Sequence, residues 1–329
     1  MRVRITQLDG ALPNLALMRL AHWHRARGDE VVVTRHIERD LFEDDYDRVY
    51  GSCLFSFSAQ RLQRFLTQWP GAIVGGTGSG NPVTVEEIVG GEYQHCDYDG
   101  YPDFSASIGF TQRGCTLRCG FCVVPAKEGR NRATGTVASI WRGAPYPRHI
   151  HLLDNDFFGQ PKEQWQARIA EIRDGNYKVC VSQGINVRRI DAEAAAALAT
   201  IKYRDTSFAK KRLYCAWDNL RDEKVFFRGV DILRDAGIAP TQLMTYMLVG
   251  YDAAETWDRI WYRFHRMVDR GIDPFPMVYR PRPDLVAWQR WVITRTYKTT
   301  PWDQYRRETR SRQSTEAYLR SLSARQQVA

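Results

Sequence analysis

The chain has 329 residues, enough to bury a large core and to divide into two domains. Its formal net charge is +9, and its seven cysteines, an odd number, lie without the spacing of a disulfide framework. No apolar run approaches the eighteen or so residues of a membrane span. The opening Met-Arg-Val-Arg-Ile-Thr reads as a strand and not as a signal peptide, so a chain of the reducing cytoplasm is expected.

Residues 1–104 alternate strand and helix. Strands are expected at 3–8, Glu30–Thr34, 47–54 and 72–74. A helix is expected over 12–27, where Leu15, Met18, Leu20 and Trp23 carry helical spacing and Gly28 ends the run; a second is expected over 58–68. The last strand closes in a glycine run, 75–80, and 76–104 reads as an irregular linker. This alternation predicts a small parallel α/β domain.

Residues 105–283 repeat the alternation six times. The expected strands are 105–111, 149–153, 178–182, 212–217, Leu243–Val249 and 276–279, with helices at 191–200, 223–236 and 256–270. Residues 284–329 read as a helical extension. From 286 onward nine Arg or Lys face three Asp or Glu, so most of the positive surplus lies there.

The most informative stretch is 109–125, which places Cys115, Cys119 and Cys122 in a C-x3-C-x2-C spacing with Phe121 before the last cysteine. Three thiolates on one loop can hold three corners of a cubane iron–sulfur cluster. No fourth thiolate lies nearby, so the fourth iron is left open to a non-protein ligand, as in open catalytic metal sites. A structural zinc site would need four ligands. There is no second C-x2-C pair, and no histidine occurs in the twenty residues after Cys122.

This loop resembles the signature of the radical S-adenosylmethionine enzymes. The resemblance implies a partial (β/α)6 TIM-like barrel over 105–283, a [4Fe-4S] cluster on the three cysteines, S-adenosylmethionine on the open iron, and a flavodoxin- or ferredoxin-type electron donor. Active sites of such barrels gather at the carboxyl ends of the strands. There the resemblance implies cofactor contacts from Asp154 and Asn155, although the usual Gly-Gly-Glu is absent; from Gln183, Asn186 and Arg188, with the arginine opposite the methionine carboxylate; from Gly250, followed by Glu255; and from Tyr279. Cys215 is a candidate hydrogen donor to a radical, against the commoner fate of a buried thiol. His149 and His151 share a strand face and read as core residues.

Residues 1–104 resemble the cobalamin-binding-like, Rossmann-like domain that precedes many such barrels. The Asp-x-His-x-x-Gly motif is missing: Asp9 is followed two residues later by Ala11. Cobalamin is therefore not expected, and a structural role is. The methylthiotransferases have a similar cluster loop, but their N-terminal domain carries three cysteines where this chain has only Cys53 and Cys96.

Substrate class is read from the extension. Trp288, Trp302 and other aromatics alternate with Arg295, Arg306, Arg307 and Arg310. Arginines neutralise phosphates and aromatics stack on bases, which points to a nucleobase or hypermodified base in DNA or RNA, with a phage-encoded enzyme in the host cytoplasm as one setting. Two alternatives stand beside it. One is tailoring of a small molecule or peptide, with or without cobalamin. The other is a nucleic-acid-binding protein whose iron–sulfur cluster is structural.

Overall fold

The computed structural model describes residues 1–306. The chain separates into two compact units, Met1–Ile108 and Gly109–Ala329.

The first unit is a four-stranded parallel sheet of β1 (Arg2–Gln7), β2 (Glu30–Thr34), β3 (Arg48–Ser52) and β4 (Ile73–Gly75), in the order β2-β1-β3-β4. Val3 and Ile5 of β1 face Val31 and Val33 of β2 in register, and Ile5 also pairs with Tyr50 of β3. Both β1 residues are fully buried, as the apolar alternation requires. The helix α1 (Leu15–Ala26) packs on this sheet through Leu17, Leu20 and Ala21. Its N-cap, Asn14, accepts from the main-chain N–H of Ala16 and Leu17. The helix α2 (Ala59–Gln68) buries Leu62 and Phe65. Between 76 and 104 the chain is not wholly irregular. A short helix, α3 (Val85–Val89), is closed by a capping box between Thr84 and Glu87, a T-x-x-E signal present in the sequence. The glycine run packs against β3: the Gly78 N–H donates to the Cys53 carbonyl at 2.9 Å. The Asp9 carboxylate accepts from the N–H groups of Leu54 and Phe55 at 2.8 and 3.0 Å.

The second unit is also mixed α/β and carries parallel strands. In chain order its strands are β5 (Ser107–Gly109), where the unit begins, β6 (Gln112–Arg113), β7 (Arg132–Ala133), β8 (His149–Leu152), β9 (Lys178–Cys180), β10 (Lys202–Tyr203), β11 (Leu213–Ala216), β12 (Leu243–Val249) and β13 (Asp273–Val278). They form sheets ordered β10-β9-β8-β5 and β11-β12-β13, plus an antiparallel pair β6-β7 that flanks the cysteine loop. The helices are α4 (Val124–Glu128), α5 (Val137–Ile140), α6 (Lys162–Asp174), α7 (Ala192–Ala199), α8 (Glu223–Asp235), α9 (Trp257–Val268) and α10 (Pro283–Ile293). One apolar core runs through both sheets, from Ile150 and Val179 to Leu213, Met247 and Val249, and out to Phe226, Phe264 and Trp288 on the helices.

Two elements differ from the sequence expectation for a definable reason. The strand expected at 276–279 begins at Asp273. Pro274 and Pro276 hide it, since proline opposes central strands but is accepted on an edge, where β13 lies. The β6-β7 pair is two residues per strand, too short to show periodicity.

The extension is a packing element over the described residues. Trp288 is fully buried and Trp291 nearly so, within a cluster that includes Trp257, Trp261 and Phe264. Trp302 packs on Trp291 with ring centroids 5.6 Å apart, and the Trp291 indole N–H donates to the Thr300 carbonyl at 2.8 Å. This corrects the reading of Trp288 as a base-stacking platform, since it lies inside the core; Trp302 is half-buried, with its ring stacked on Tyr305 at 5.9 Å. Arg295 is ion-paired with Asp273, and Arg306 is exposed. Arg307 and Arg310 lie outside the described residues. No helix among the described residues is long and apolar enough to cross a membrane.

Candidate active site

The cysteine loop leaves β5 and returns through α4, and a carboxylate pins it at each end. Asp154, just past β8, is fully buried. Its Oδ1 accepts from the main-chain N–H groups of Thr111 and Gln112 at 2.7 and 3.0 Å, and its Oδ2 accepts from the Thr111 hydroxyl. Burial pushes its carboxyl up to about 6 against the pull of those donors. Gln112 continues the latch: its amide donates to the carbonyls of Arg113 and Gly114, and its carbonyl accepts from the Asp156 N–H at 2.9 Å. At the far end Glu128 accepts from Arg113 Nη2, the Gly114 N–H and Asn155 Nδ2, at 3.1, 3.1 and 2.8 Å. Burial raises that carboxyl, but these donors outweigh it and hold the group below its ordinary value. Gly114 sits at φ +79°, and a Cβ there would stand 2.2 Å from the Arg130 carbonyl oxygen, so only glycine lets the loop pass β7.

Between these anchors Cys115, Cys119 and Cys122 are half-buried and free. The Cys122 N–H donates to the Cys119 carbonyl at 2.9 Å, and the Leu117 N–H to Cys115 Sγ at 3.4 Å. Burial pushes the Cys115 thiol up, and Asp156, Cys122 and Cys119 add to that push. Among the described residues no group of three or more His, Cys, Asp or Glu side chains stands gathered as a ready metal site. The three thiols thus share a loop without being drawn together. As a donor set they suit iron–sulfur ligation: soft ligands, partly shielded, on one loop beside a cavity.

That cavity, of about 240 Å³, is lined by Cys119, Gly120 and Phe121 of the loop and by Arg188, Asn219 and Tyr251 from the segments that follow β9, β11 and β12, among others. Arg188 donates to Asp222 at 2.7 Å. Burial works against its charge, but Asp222 and the adjacent Cys119 outweigh that and raise the guanidinium above its ordinary value. On the opposite wall Tyr251 meets Phe121 and Tyr279 edge-on, with centroids 5.4 and 4.9 Å apart. The Tyr279 ring is 45 % exposed, while its main-chain N–H donates to the Val249 carbonyl at 2.9 Å. Gly250 takes φ +75° and donates its N–H to Glu255 Oε2 at 2.7 Å.

The strand ends themselves are tied by a buried cation. Arg263 of α9 is 1 % exposed and donates to the carbonyls of Trp217, Asp218 and Leu248 at 3.2, 3.0 and 2.9 Å, and to Glu255. Burial lowers this guanidinium, and Glu255 is the largest of the effects that oppose the lowering. The Asp218 carboxylate accepts from the Leu248 N–H at 2.9 Å. Sequence reasoning missed Arg263, although an arginine in the apolar row Ile260, Arg263, Phe264, Met267 is a visible anomaly.

The expected site residues separate into two groups. Cys119 and Arg188 meet at the cavity, and Tyr279 reaches it through Tyr251. The others lie elsewhere or are spent. Asp154 has both oxygens occupied and no exposure, and Asn155 is bonded to Glu128, so both serve the loop. Gln183 is exposed, and Asn186 is half-buried with its Nδ2 unpartnered. Cys215 is fully buried in the apolar core and contacts the Thr245 hydroxyl at 3.1 Å; burial pushes its thiol up to about 12. Its thiol is buried in the core, the commoner place for a free cysteine, and does not line this cavity. Asp156 went unnoticed in the sequence. It is 1 % exposed, burial raises its carboxyl, and Arg189 and Arg188 oppose that rise. No family model matches this chain, and no curated protein matches it.

Proposed function

We propose that the chain is a radical S-adenosylmethionine enzyme whose active site is the cavity beside the cysteine loop. The observation that carries the reading is the placement of Cys119 next to Arg188 at one cavity formed by the cysteine loop and the segments that follow β9, β11 and β12. Cys115, Cys119 and Cys122 would hold a [4Fe-4S] cluster. When bound, that cluster supplies one electron to the sulfonium of S-adenosylmethionine, the chemistry that leads to a 5′-deoxyadenosyl radical and hydrogen abstraction from a substrate carbon. A flavodoxin- or ferredoxin-type protein is the proposed electron source.

This chain's own residues bind, orient and shield. Arg188 presents a guanidinium to the methionine carboxylate, with Asp222 fixing its direction. Phe121, Tyr251 and Tyr279 form an aromatic wall against which the adenine ring would pack. Arg263 and Glu255 hold the strand ends that carry Tyr251. Asp154 and Glu128 hold the loop under the thiols.

A partial (β/α)6 barrel is the architecture proposed for the second unit. It is supported by two bonds between the sheets: the Ile185 N–H donates to the Tyr214 carbonyl at 2.8 Å, and the Tyr246 hydroxyl to the Ser182 carbonyl at 2.6 Å. The first unit serves a structural role without cobalamin. A small substrate, or a single base presented alone, is favoured over a tracked strand of nucleic acid, because Trp288 lies in the core and offers no face to a base.

Anaerobic reconstitution tests the reading. About one cluster per chain is expected from three thiolates, with formation of 5′-deoxyadenosine on adding S-adenosylmethionine and a strong reductant. Cys115→Ala, Cys119→Ala or Cys122→Ala abolishes the product and Cys53→Ala does not. Tightly bound zinc without iron–sulfur absorption refutes the reading.

A further inference from the structure

The same cavity carries more positive charge than its neighbours neutralise. Arg118, Arg188 and Arg221 all line it. Asp222 bonds Arg188 at 2.7 Å, and its other oxygen is 3.9 Å from Arg221, whose side chain is 84 % exposed. Arg118 is exposed and makes no ion pair or hydrogen bond among the described residues. One carboxylate therefore serves two guanidiniums, and the third has no counter-charge.

The short turn Leu220–Asp222 that carries Arg221 runs directly into α8, which is thirteen residues long and begins at Glu223. A cleft lined by charge of one sign concentrates oppositely charged ligands, and guanidinium forks match the oxygens of phosphates and carboxylates.

We infer that Arg118 and Arg221 form an oxyanion site for the substrate, taking a phosphate ester or a carboxylate at the mouth of the cavity. The inference rests on reading this cavity as the active site, and it divides the guanidiniums by role. Arg188, already oriented by Asp222, belongs to the cofactor. Arg118 and Arg221, exposed and weakly paired, belong to the substrate. The substrate is then a small acid or phosphorylated compound recognised by its anionic group.

The test is calorimetric titration of the full chain with inorganic pyrophosphate and, separately, with citrate, at low and high salt. Saturable binding that weakens with salt is expected. The Arg118→Gln/Arg221→Gln double variant should lose about tenfold or more in affinity, a margin well outside error. Arg234→Gln, at the other end of α8 and paired with Asp231 and Asp235, should change nothing. Pyrophosphate bound more tightly than citrate assigns a phosphate ester, and the reverse order a carboxylate. Binding of neither anion, or binding that the double variant leaves intact, overturns the inference. So does preference for a single-stranded oligonucleotide that is unaffected in the double variant. If the wild-type chain forms 5′-deoxyadenosine yet binds no anion, only this inference fails. If it binds anions at these arginines but never forms that product, the cofactor reading fails and the anion site stands.

Discussion

The hydroxyl of Tyr251 stands 2.7 Å from the point where a Cβ on Gly120 would be. Gly120 lies between Cys119 and Phe121, so the tyrosine rests directly on the cysteine loop. Gly120→Ala should push the ring outward, and because the obstructing atom is the end of a side chain the fold should absorb it for about 1 kcal/mol, the low end of overpacking costs. The expected result is a melting temperature lowered by only about 2–4 °C, with 5′-deoxyadenosine formation slowed about tenfold, roughly 1.4 kcal/mol in the barrier. Tyr251→Phe in the same chain should recover part of the rate. A melt lowered by many degrees would instead make the contact structural.

Asp154 makes stability depend on pH in an unusual direction. Its folded carboxyl is raised to about 6 from an ordinary 3.8, so the folded state binds the proton more tightly than the unfolded state does. The stability that this group contributes is therefore full below about pH 4 and is lost as pH rises through about 6. Urea midpoints across that window should show a component that falls with rising pH. Asp154→Asn should flatten it, and Asn155→Ala should not.

Arg263 should be the least replaceable charged residue of the second unit. Arg263→Met strands three carbonyls and the Glu255 carboxylate beside a neutral side chain, at a cost of about 3–5 kcal/mol. Arg263→Lys cannot span the same set of acceptors and should recover little of that. Chemical denaturation of the two variants measures both effects.

Trp288→Ala should behave as a core deletion, lowering stability by about 3–5 kcal/mol. Fluorescence anisotropy with labelled DNA or RNA should show no specific loss at temperatures where the variant is folded. A variant that melts normally but loses nucleic-acid affinity would return Trp288 to the surface role that its burial denies.

What the sequence made legible follows from the reach of each signal. The longer strands announced themselves through continuous apolar runs such as Val31-Val-Val33 and the mostly apolar stretch of β12, while the two-residue strands β6, β7 and β10 are too short to leave a pattern. The cysteine loop was visible because its three thiols are close in sequence. Arg188 was legible through the resemblance alone, while Asp222, which orients it, is 34 residues away and carries no local mark. Sequence separation likewise hid the Glu128–Asn155 bond and the true use of Asp154, whose polar neighbours Thr111 and Gln112 precede it by more than forty residues. The extension was ambiguous for a different reason. A tryptophan row among arginines has the same composition whether the rings stack on bases or pack on other rings, and it is the burial of Trp288 and Trp291 against Trp261 that puts these two in the second group.

The prolines of β13 bear on how copies of this chain meet one another. The Tyr279 N–H, which continues the pairing side of the strand, turns toward β12, so Pro274 and Pro276 turn the other way by strand alternation. Two donors on that outer side are therefore missing, and the Pro276 carbonyl is already taken by Gln289 Nε2 at 2.8 Å. An incoming strand would lack two donors and one acceptor of a continuous ladder. The outer side of β13 is thus a poor template for strand addition, which works against sheet-to-sheet aggregation.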